Sequence, residues 1–599
     1  MADQKNSLSE IQKDNKRFDQ MLSYRLPLDP WAREIADYLM PRRPRWMIQN
    51  SQSSNNTASY GNYFNENIFD STATLALRTA QAGFLEGATS PATPWVALGV
   101  SKDNLSKIFD VKQYLDITNK VLLNVYDQGN FYFEMSNHFL DLLCLPASVT
   151  LLEEDPKFTI RLNTLSWGTY VMDVDENGDV NTIGREEEYE VRQLVPKFCK
   201  MLKDGKYNLS NLTEETRGFW EAGDNLNLDR RIMVRHMLMP NPNFNAKKPQ
   251  SKFNKWVSRY FEKTNQNSAS NNKSIYLRES GFNFFPAIVS RWNKRSQEIY
   301  ANDCPGLMVL GDIKQLYKNT EDQNHHIDLV LDPPLTGPEA FAHDIIDKGP
   351  GGFTAYQGTD PDVGLKPLYQ ITADIKWVND KIKALQSIIN RGFYVDMFQT
   401  MSALRERVTT QITAAEVNAI RSEKLVELGP VIQSVFRSLR HCIDVTYILL
   451  NEQGRLPPPP DVLVGEDLPP EFISPFARAQ KMSVLALYDK LLFVVGQMAG
   501  LPGCEQVTME VNFRAILDQI TRTLNLPADF LFKPEVVQQI KQQLAQSQQA
   551  QQQAETIKSG AQAAQHLAGA PTDQDNLLTR LLGMAQAGGV PSGSLAEAG

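Results

Sequence analysis

The chain has 599 residues, of which 42% are hydrophobic, 22% charged and 9% aromatic, and its formal net charge is −9. That is too long for one ordinary domain and apolar enough for a sizeable core. The acidic balance argues against a tight, sequence-neutral DNA binder, because such proteins gain affinity by setting cations on phosphates and releasing counterions.

Met1 to Asn6 are polar, with no apolar signal region, and the longest apolar run, Leu491 to Val495, is far too short to span a bilayer. An aqueous, cytoplasm-like setting without a membrane is expected. Five cysteines, at 144, 199, 304, 442 and 504, form no Cys-x-x-Cys pair and are odd in number. Free thiols are therefore expected, rather than a disulfide framework or a zinc cluster.

The first 50 residues read as helix, with Ile11, Phe18, Leu22, Trp31, Ile35 and Leu39 at helical spacing, interrupted by Pro27 and Pro30. A second helix runs from Asp70 to Gly87. Its Ala76, Ala80, Gly83 and Gly87 leave one side nearly bare, which fits tight core packing or a closely approaching neighbour. Ser90-Pro91 and Pro94-Trp95 end that helix and anchor an aromatic. From Lys157 to Arg192 the period switches to strands: Thr159–Leu165, Thr169–Val174 and a run from Tyr189 to Leu194, with Asn177-Gly178 as a hairpin turn. Lys252 to Ala287 also reads as strands, around a polar insert from Thr264 to Ser274.

Helix resumes near Gly306, with Val309, Ile313 and Leu316 on one face, and Asp332-Pro333-Pro334 stops it. Leu335 to Pro367 reads as a compact irregular module or a small strand pair. Ile375, Val378, Ile382, Leu385 and Ile389 then form one apolar stripe on a helix of about 25 residues, roughly 37 Å long. A capping box, Thr413-Ala414-Ala415-Glu416, starts another helix. Its stripe runs from Leu428 to Leu449, and Gly429-Pro430 inside it predicts a kink. Leu456 and Pro457 to Pro460 terminate it. Further helices span 475–501, 511–525 and 534–553, and the composition of 567–599 reads as disordered. Together these elements make an α+β, mainly helical chain.

Catalytic patterns are absent. No Gly-x-x-x-x-Gly-Lys-Ser/Thr loop, His-Glu-x-x-His or Gly-x-Ser-x-Gly occurs, so neither a nucleotide, a cofactor nor a catalytic metal is expected. His325-His326 point about 100° apart on a helix and make a poor chelate. Asp173-Val174-Asp175-Glu176-Asn177-Gly178 matches the first half of a calcium loop. The position that should carry its bidentate glutamate is Gly184, and the flanks are strands, so a hairpin turn is expected.

Asp70-Ser71-Thr72-Ala73 and Ser90-Pro91-Ala92-Thr93-Pro94-Trp95 resemble the signature of the phage head-to-tail connecting protein family, the portals of short-tailed phages. The resemblance continues through Arg291-Trp292, Glu298-Ile299-Tyr300, Asp312-Ile313-Lys314, Asp332 to Leu335 and Phe393 to Asp396. It goes on through Thr413 to Glu416, Leu428-Gly429-Pro430, Leu456 with its prolines, and Ser474 to Gln480. It covers roughly residues 7–545, and the order and spacing of the pieces carry it.

The resemblance implies a portal fold assembled as a homo-oligomeric ring, usually a dodecamer, at one capsid vertex of the virion. Double-stranded DNA would pass through it, and the terminase motor, the major capsid protein and the tail adaptor would be its partners. It implies a wing over 1–305 with its β-rich part at 150–290, a first stem helix at 306–330, a clip at 331–370 and a second stem helix at 371–397. A channel loop would occupy 398–411, a kinked wing-to-crown helix with its proline-rich connection 412–474, and crown helices 475–566.

DNA must slide both ways, so strong phosphate contacts would act as a brake. The candidate DNA-channel residues are Lys376 and Lys383, seven apart and flanking a stripe expected to pack on neighbouring stem helices, and Arg405 and Arg407 in the channel loop. A head-tail adaptor or internal scaffold protein is the alternative structural reading, and a nuclease with a diffuse site the enzymatic one.

Overall fold

The computed structural model describes residues 10–40, 68–102, 105, 108–248, 250–263, 276–296, 298–336, 366–367, 375–398, 427–477 and 491–497, with residue 516 and the helical pairs 539–540, 542–543 and 546–547. The chain divides into two units, 1–525 and 526–599. The three pairs belong to the second; everything below belongs to the first.

Helix α1 (Glu10–Arg25) and helix α2 (Asp29–Leu39) are joined by one tight turn at Leu26–Leu28. Pro27 sits in that turn and Pro30 in the first turn of α2, where a missing N–H costs nothing. Helix α3 (Thr72–Thr89) buries Ala76 and Ala80 on its bare side. A Cβ on Gly83 would stand 2.1 Å from the Phe398 ring, and one on Gly87 2.3 Å from the Phe476 ring. The small residues thus admit aromatic rings, which is tight core packing. Trp95, fully buried, stacks on Phe131 at 5.6 Å with ring planes 8° apart and leads into strand β1 (Val96–Leu98).

Helices α4 (Phe109–Gln128) and α5 (Phe131–Cys144) fill a stretch for which the sequence reading carried no expectation. Their buried residues, Val111, Tyr114, Thr118, Leu122 and Val125 on α4 and Phe131, Met135, Phe139 and Leu142 on α5, step by three and four. The strands follow: β2 (Ser148–Asp155), β3 (Thr159–Leu165), β4 (Tyr170–Val174) and β5 (Val180–Glu190). The turn between β4 and β5 is the expected hairpin. Gly178 has φ +75°, and Asp175 Oδ1 accepts hydrogen bonds from the amides of Asn177 at 2.9 Å and Asp179 at 2.8 Å. The acidic run caps a turn.

One strand expectation fails. After Glu190 the chain forms helix α6 (Val191–Phe198), not a continuing strand. Val191, Leu194, Val195 and Phe198 share a helical face, and all four are buried. Helix α7 (Glu214–Ala222) starts from the Thr213 cap and ends at Gly223, φ +69°. Then come β6 (Arg231–Pro240), β7 (Trp256–Glu262), β8 (Arg278–Phe282) and β9 (Ala287–Ser290). The strands make a three-stranded sheet in the order β3-β2-β9 and a five-stranded sheet in the order β4-β5-β6-β7-β8, all pairings antiparallel.

Helix α8 (Leu310–Leu331) ends at Asp332, ahead of Pro333, as expected. Strands β10 (Leu335–Thr336) and β11 (Lys366–Pro367) pair antiparallel, so the two ends of 335–367 form a small strand pair. Helix α9 is described over Ile375–Gly392. It stops at Gly392, and Tyr394 then takes φ +57° before a separate turn of helix at Val395–Phe398. At Gly392 the backbone is closely approached: a Cβ there would lie 2.2 Å from Val309.

The capping box at 413–416 lies outside the described residues. Helix α10 (Gly429–Glu452) begins at Gly429, with Pro430 in its first turn. Leu428 is a turn residue between the helical Glu427 and Gly429, so the helix is interrupted where Gly429-Pro430 predicts a kink, and the residues before Glu427 lie outside the described ones. Gly454, at φ +64°, ends it before the prolines are reached. The Arg455 amide bonds back to the Leu450 carbonyl at 3.0 Å. Strand β12 (Pro470–Phe472) returns to pair with β1. The largest apolar cluster takes side chains from α2 to α5, both large sheets and α8 to α10.

His138 is fully buried in this core, with Nδ1 2.8 Å from Thr150 Oγ1. Burial pushes its pKa down from 6.5 to about 3. The folded protein therefore holds it neutral, while the unfolded chain takes up a proton below about pH 6.5. The stability it permits is complete above that value and falls as pH drops, by roughly 2–3 kcal/mol at two pH units lower. Unfolding curves of the parent and of His138→Gln should converge on acidification. Parallel pH profiles would contradict the assignment.

Candidate channel-lining site

The candidate site is the α8–α9 helix pair and the segment that follows α9. Ile382, Leu385 and Ile389 of α9 are buried in one cluster with Ile313 and Leu316 of α8. The apolar stripe read from the sequence packs, as expected, on a neighbouring helix, here α8 of the same chain. Polar ties reinforce the packing. Gln323 donates to Asn379 across the pair at 2.8 Å, and Gln386 donates to Asp70, just ahead of α3, at 2.8 Å. At the other end of α8, Lys314 pairs with Glu34, and Tyr317 stacks on Tyr38 with centroids 5.9 Å apart.

Lys376 and Lys383 are both exposed. At 100° per residue they lie roughly 140° around α9 from the centre of the buried stripe, so they occupy the far face rather than flank the stripe. Between the two faces runs a strip that the sequence reading missed. Trp377 is 65% exposed and Ile388 48% exposed, eleven residues and three turns apart, with the Lys381 ammonium 5.5 Å from the Trp377 ring centroid. The signal was a second apolar spacing on a helix already assigned one. Arg391, also exposed on α9, was missed as well.

Arg405 and Arg407 lie outside the described residues. What is described is their anchor. Phe393, Val395 and Met397 are buried, and the Phe398 ring lies 5.8 Å from Phe84 and 6.3 Å from Phe476. The segment from 399 onward therefore starts from a fixed point in the core.

Other cations are committed to structure. The Arg235 side chain is 3% exposed and pairs with Asp19 at 2.7 Å and Glu186 at 2.9 Å. Arg259 is held by Asp14 at 3.2 Å, Glu10 at 3.3 Å and Glu279 at 3.0 Å. Arg185 pairs with Glu187 at 2.8 Å and donates to buried His236 at 2.9 Å. Burial first, and then the nearby Arg185, Lys197 and Arg278, keep His236 well below the usual histidine range. These buried arginines are committed to carboxylates of the same chain. Among the described residues no helix is long and apolar enough to cross a membrane.

The chain is 29% identical over 548 residues to the probable portal protein of Bordetella phage BPP-1, covering 91% of this chain and 93% of that one. It is 26% identical over 587 residues to the portal protein of Salmonella phage epsilon15, covering 98% and 100%. Among solved structures, a chain in the neck of an empty GTA particle aligns with a TM-score of 0.35 and 9% identity, covering 74% of this chain and 93% of that one. The family described as bacteriophage head to tail connecting protein matches residues 12–531. With that match spanning most of its length, the chain belongs to the bacteriophage head-to-tail connecting protein family.

Proposed function

We infer that the protein is a phage portal: a ring at one capsid vertex through which double-stranded DNA is packaged and later ejected. The observation that carries this is nearly full-length similarity to two phage portal proteins. The internal arrangement supports it. Two helices, α8 and α9, pack side by side, and the paired ends of 335–367 lie between them in sequence, as two stem helices flanking a clip would. The wing then takes α1 to α7 with both large sheets, the crown follows residue 475, and twelve copies close the ring. The terminase motor docks first and the tail adaptor later, with the major capsid protein around the vertex.

The mechanism is passive. A net acidic subunit, with 70 Asp and Glu against 61 Lys and Arg, offers DNA little net attraction, which suits movement in both directions. Lys376 and Lys383, on the solvent face of α9, and Arg405 and Arg407, beyond the Phe398 anchor, would make the transient phosphate contacts. The protein itself performs no reaction and needs no cofactor.

End-on electron micrographs of the purified protein should show rings with a central hole. Lys376→Gln with Lys383→Gln should leave the rings intact and change DNA packaging or retention. Monomers under every condition would defeat the portal reading. Intact rings with unaltered packaging and retention would defeat only the DNA contacts.

A further inference from the structure

Helix α1 is electrically two-sided. Its acids Glu10, Asp14 and Asp19 are engaged by Arg259 and Arg235 of the sheet beneath it. Its bases Lys13, Lys16 and Arg17 lie on another side, where they line a cavity of about 440 Å³ with Met21, Tyr24 and Asp173. The spacing accounts for this. Lys13, Lys16, Arg17, Gln20 and Tyr24 share one helical face, turned away from the buried Ile11, Asp14, Phe18 and Met21. Arg17 is fixed by Thr182 Oγ1 at 3.0 Å and Asp173 at 3.6 Å, and Gln20 donates to the Tyr24 hydroxyl at 2.9 Å. Neither Lys13 nor Lys16 has a carboxylate partner among the described residues.

We propose that this cavity is a docking site for an acidic peptide segment of a partner protein. Two lysines without counter-charges beside a fixed arginine make a local positive field on a net acidic chain. The half-exposed Tyr24 ring adds apolar surface for a side chain. Asp173 decides between a peptide and a nucleic acid. A peptide brings carboxylates for the lysines and N–H donors for an acceptor such as Asp173. A phosphodiester backbone brings acceptors alone and would meet Asp173 with repulsion. The size suits a few side chains, not a duplex. This inference stands independently of the portal reading.

The test uses the full-length protein and a fluorescein-labelled peptide of alternating glutamate and leucine, followed by anisotropy. The parent should bind it, more weakly as salt is added. Lys13→Glu with Lys16→Glu should lower affinity at least about tenfold. Lys13→Gln with Lys16→Gln, which sets no new acid beside Asp14 or Asp19, should shift it in the same direction and keeps the test valid if the first variant misfolds. Absence of binding to the parent, or unchanged affinity in the variants, overturns the proposal. So does a DNA duplex of equal charge that binds more tightly than the peptide and loses affinity in the same variants, since that assigns the cavity to nucleic acid. Micrographs of the same samples report ring formation separately.

Discussion

Phe84→Ala is expected to cost about 3–5 kcal/mol of stability. Phe84 is 1% exposed, and its ring meets four others: Phe139 at 6.1 Å, Trp292 at 5.6 Å, Phe398 at 5.8 Å and Phe476 at 5.7 Å. These come from α5, from the loop after β9, from the turn after α9 and from the segment after β12. The vacated space would be hard to refill, because Phe398 and Phe476 already press on the bare backbone of Gly83 and Gly87. Phe84→Leu keeps most of the volume and should cost nearer 1.5 kcal/mol. Urea unfolding of the three proteins checks the order. A loss below about 1 kcal/mol for the alanine variant would mean that the ring cluster relaxes freely.

Arg235→Ala is expected to cost about 3 kcal/mol and to release α1. The guanidinium binds Asp19, Glu186 and the Asn15 side chain (2.8 Å) at once, and it lies 4.4 Å from the Phe18 ring centroid. Without it, Glu186 keeps, among the described residues, only Lys263, at 3.4 Å. The figure is set at the low end of the range for broken buried pairs because Asp19 is 41% exposed and water can recover part of its loss. Arg235→Lys should recover little, since one ammonium cannot span three acceptors in fixed directions. Thermal unfolding gives the magnitude, and limited proteolysis within residues 10–25 reports the release. A variant that melts like the parent and keeps α1 protected would show that Ile11, Phe18 and Met21 suffice to hold the helix.

What could be read from sequence was local. Asn177-Gly178 demanded a hairpin and formed one. Pro333 marked the end of α8, and the stripe on α9 gave the helix and the face that is buried. Failures came where two local signals compete or where the deciding partner is distant. Tyr189 to Leu194 looked like strand because Tyr189, Glu190, Val191 and Arg192 alternate apolar and charged residues, yet the spacing of Val191, Leu194, Val195 and Phe198 is helical and won. Gly392 ends a helix that was expected to run on to about residue 397. The α9 stripe said how the helix is buried but not by whom, since a stripe covered by the same chain and one covered by a neighbour look alike. The arginine clusters at 185, 235 and 259 were invisible for the same reason, because their acids lie up to 249 positions away. Of the four candidate DNA contacts, the two on α9 are exposed, and the two arginines fall outside the described residues.

The β10–β11 pairing has a consequence for how this protein can vary. Thr336 stands opposite Lys366, so the chain leaves and re-enters the α8–α9 pair through backbones about 5 Å apart. Any length of polypeptide that begins and ends there presents the helices with the same two attachment points. Lengthening it costs only a logarithmic closure entropy, about 0.6 kcal/mol for each doubling. The pairing is in effect a splice junction, at which relatives can exchange or enlarge the intervening segment without retuning the helices that carry it.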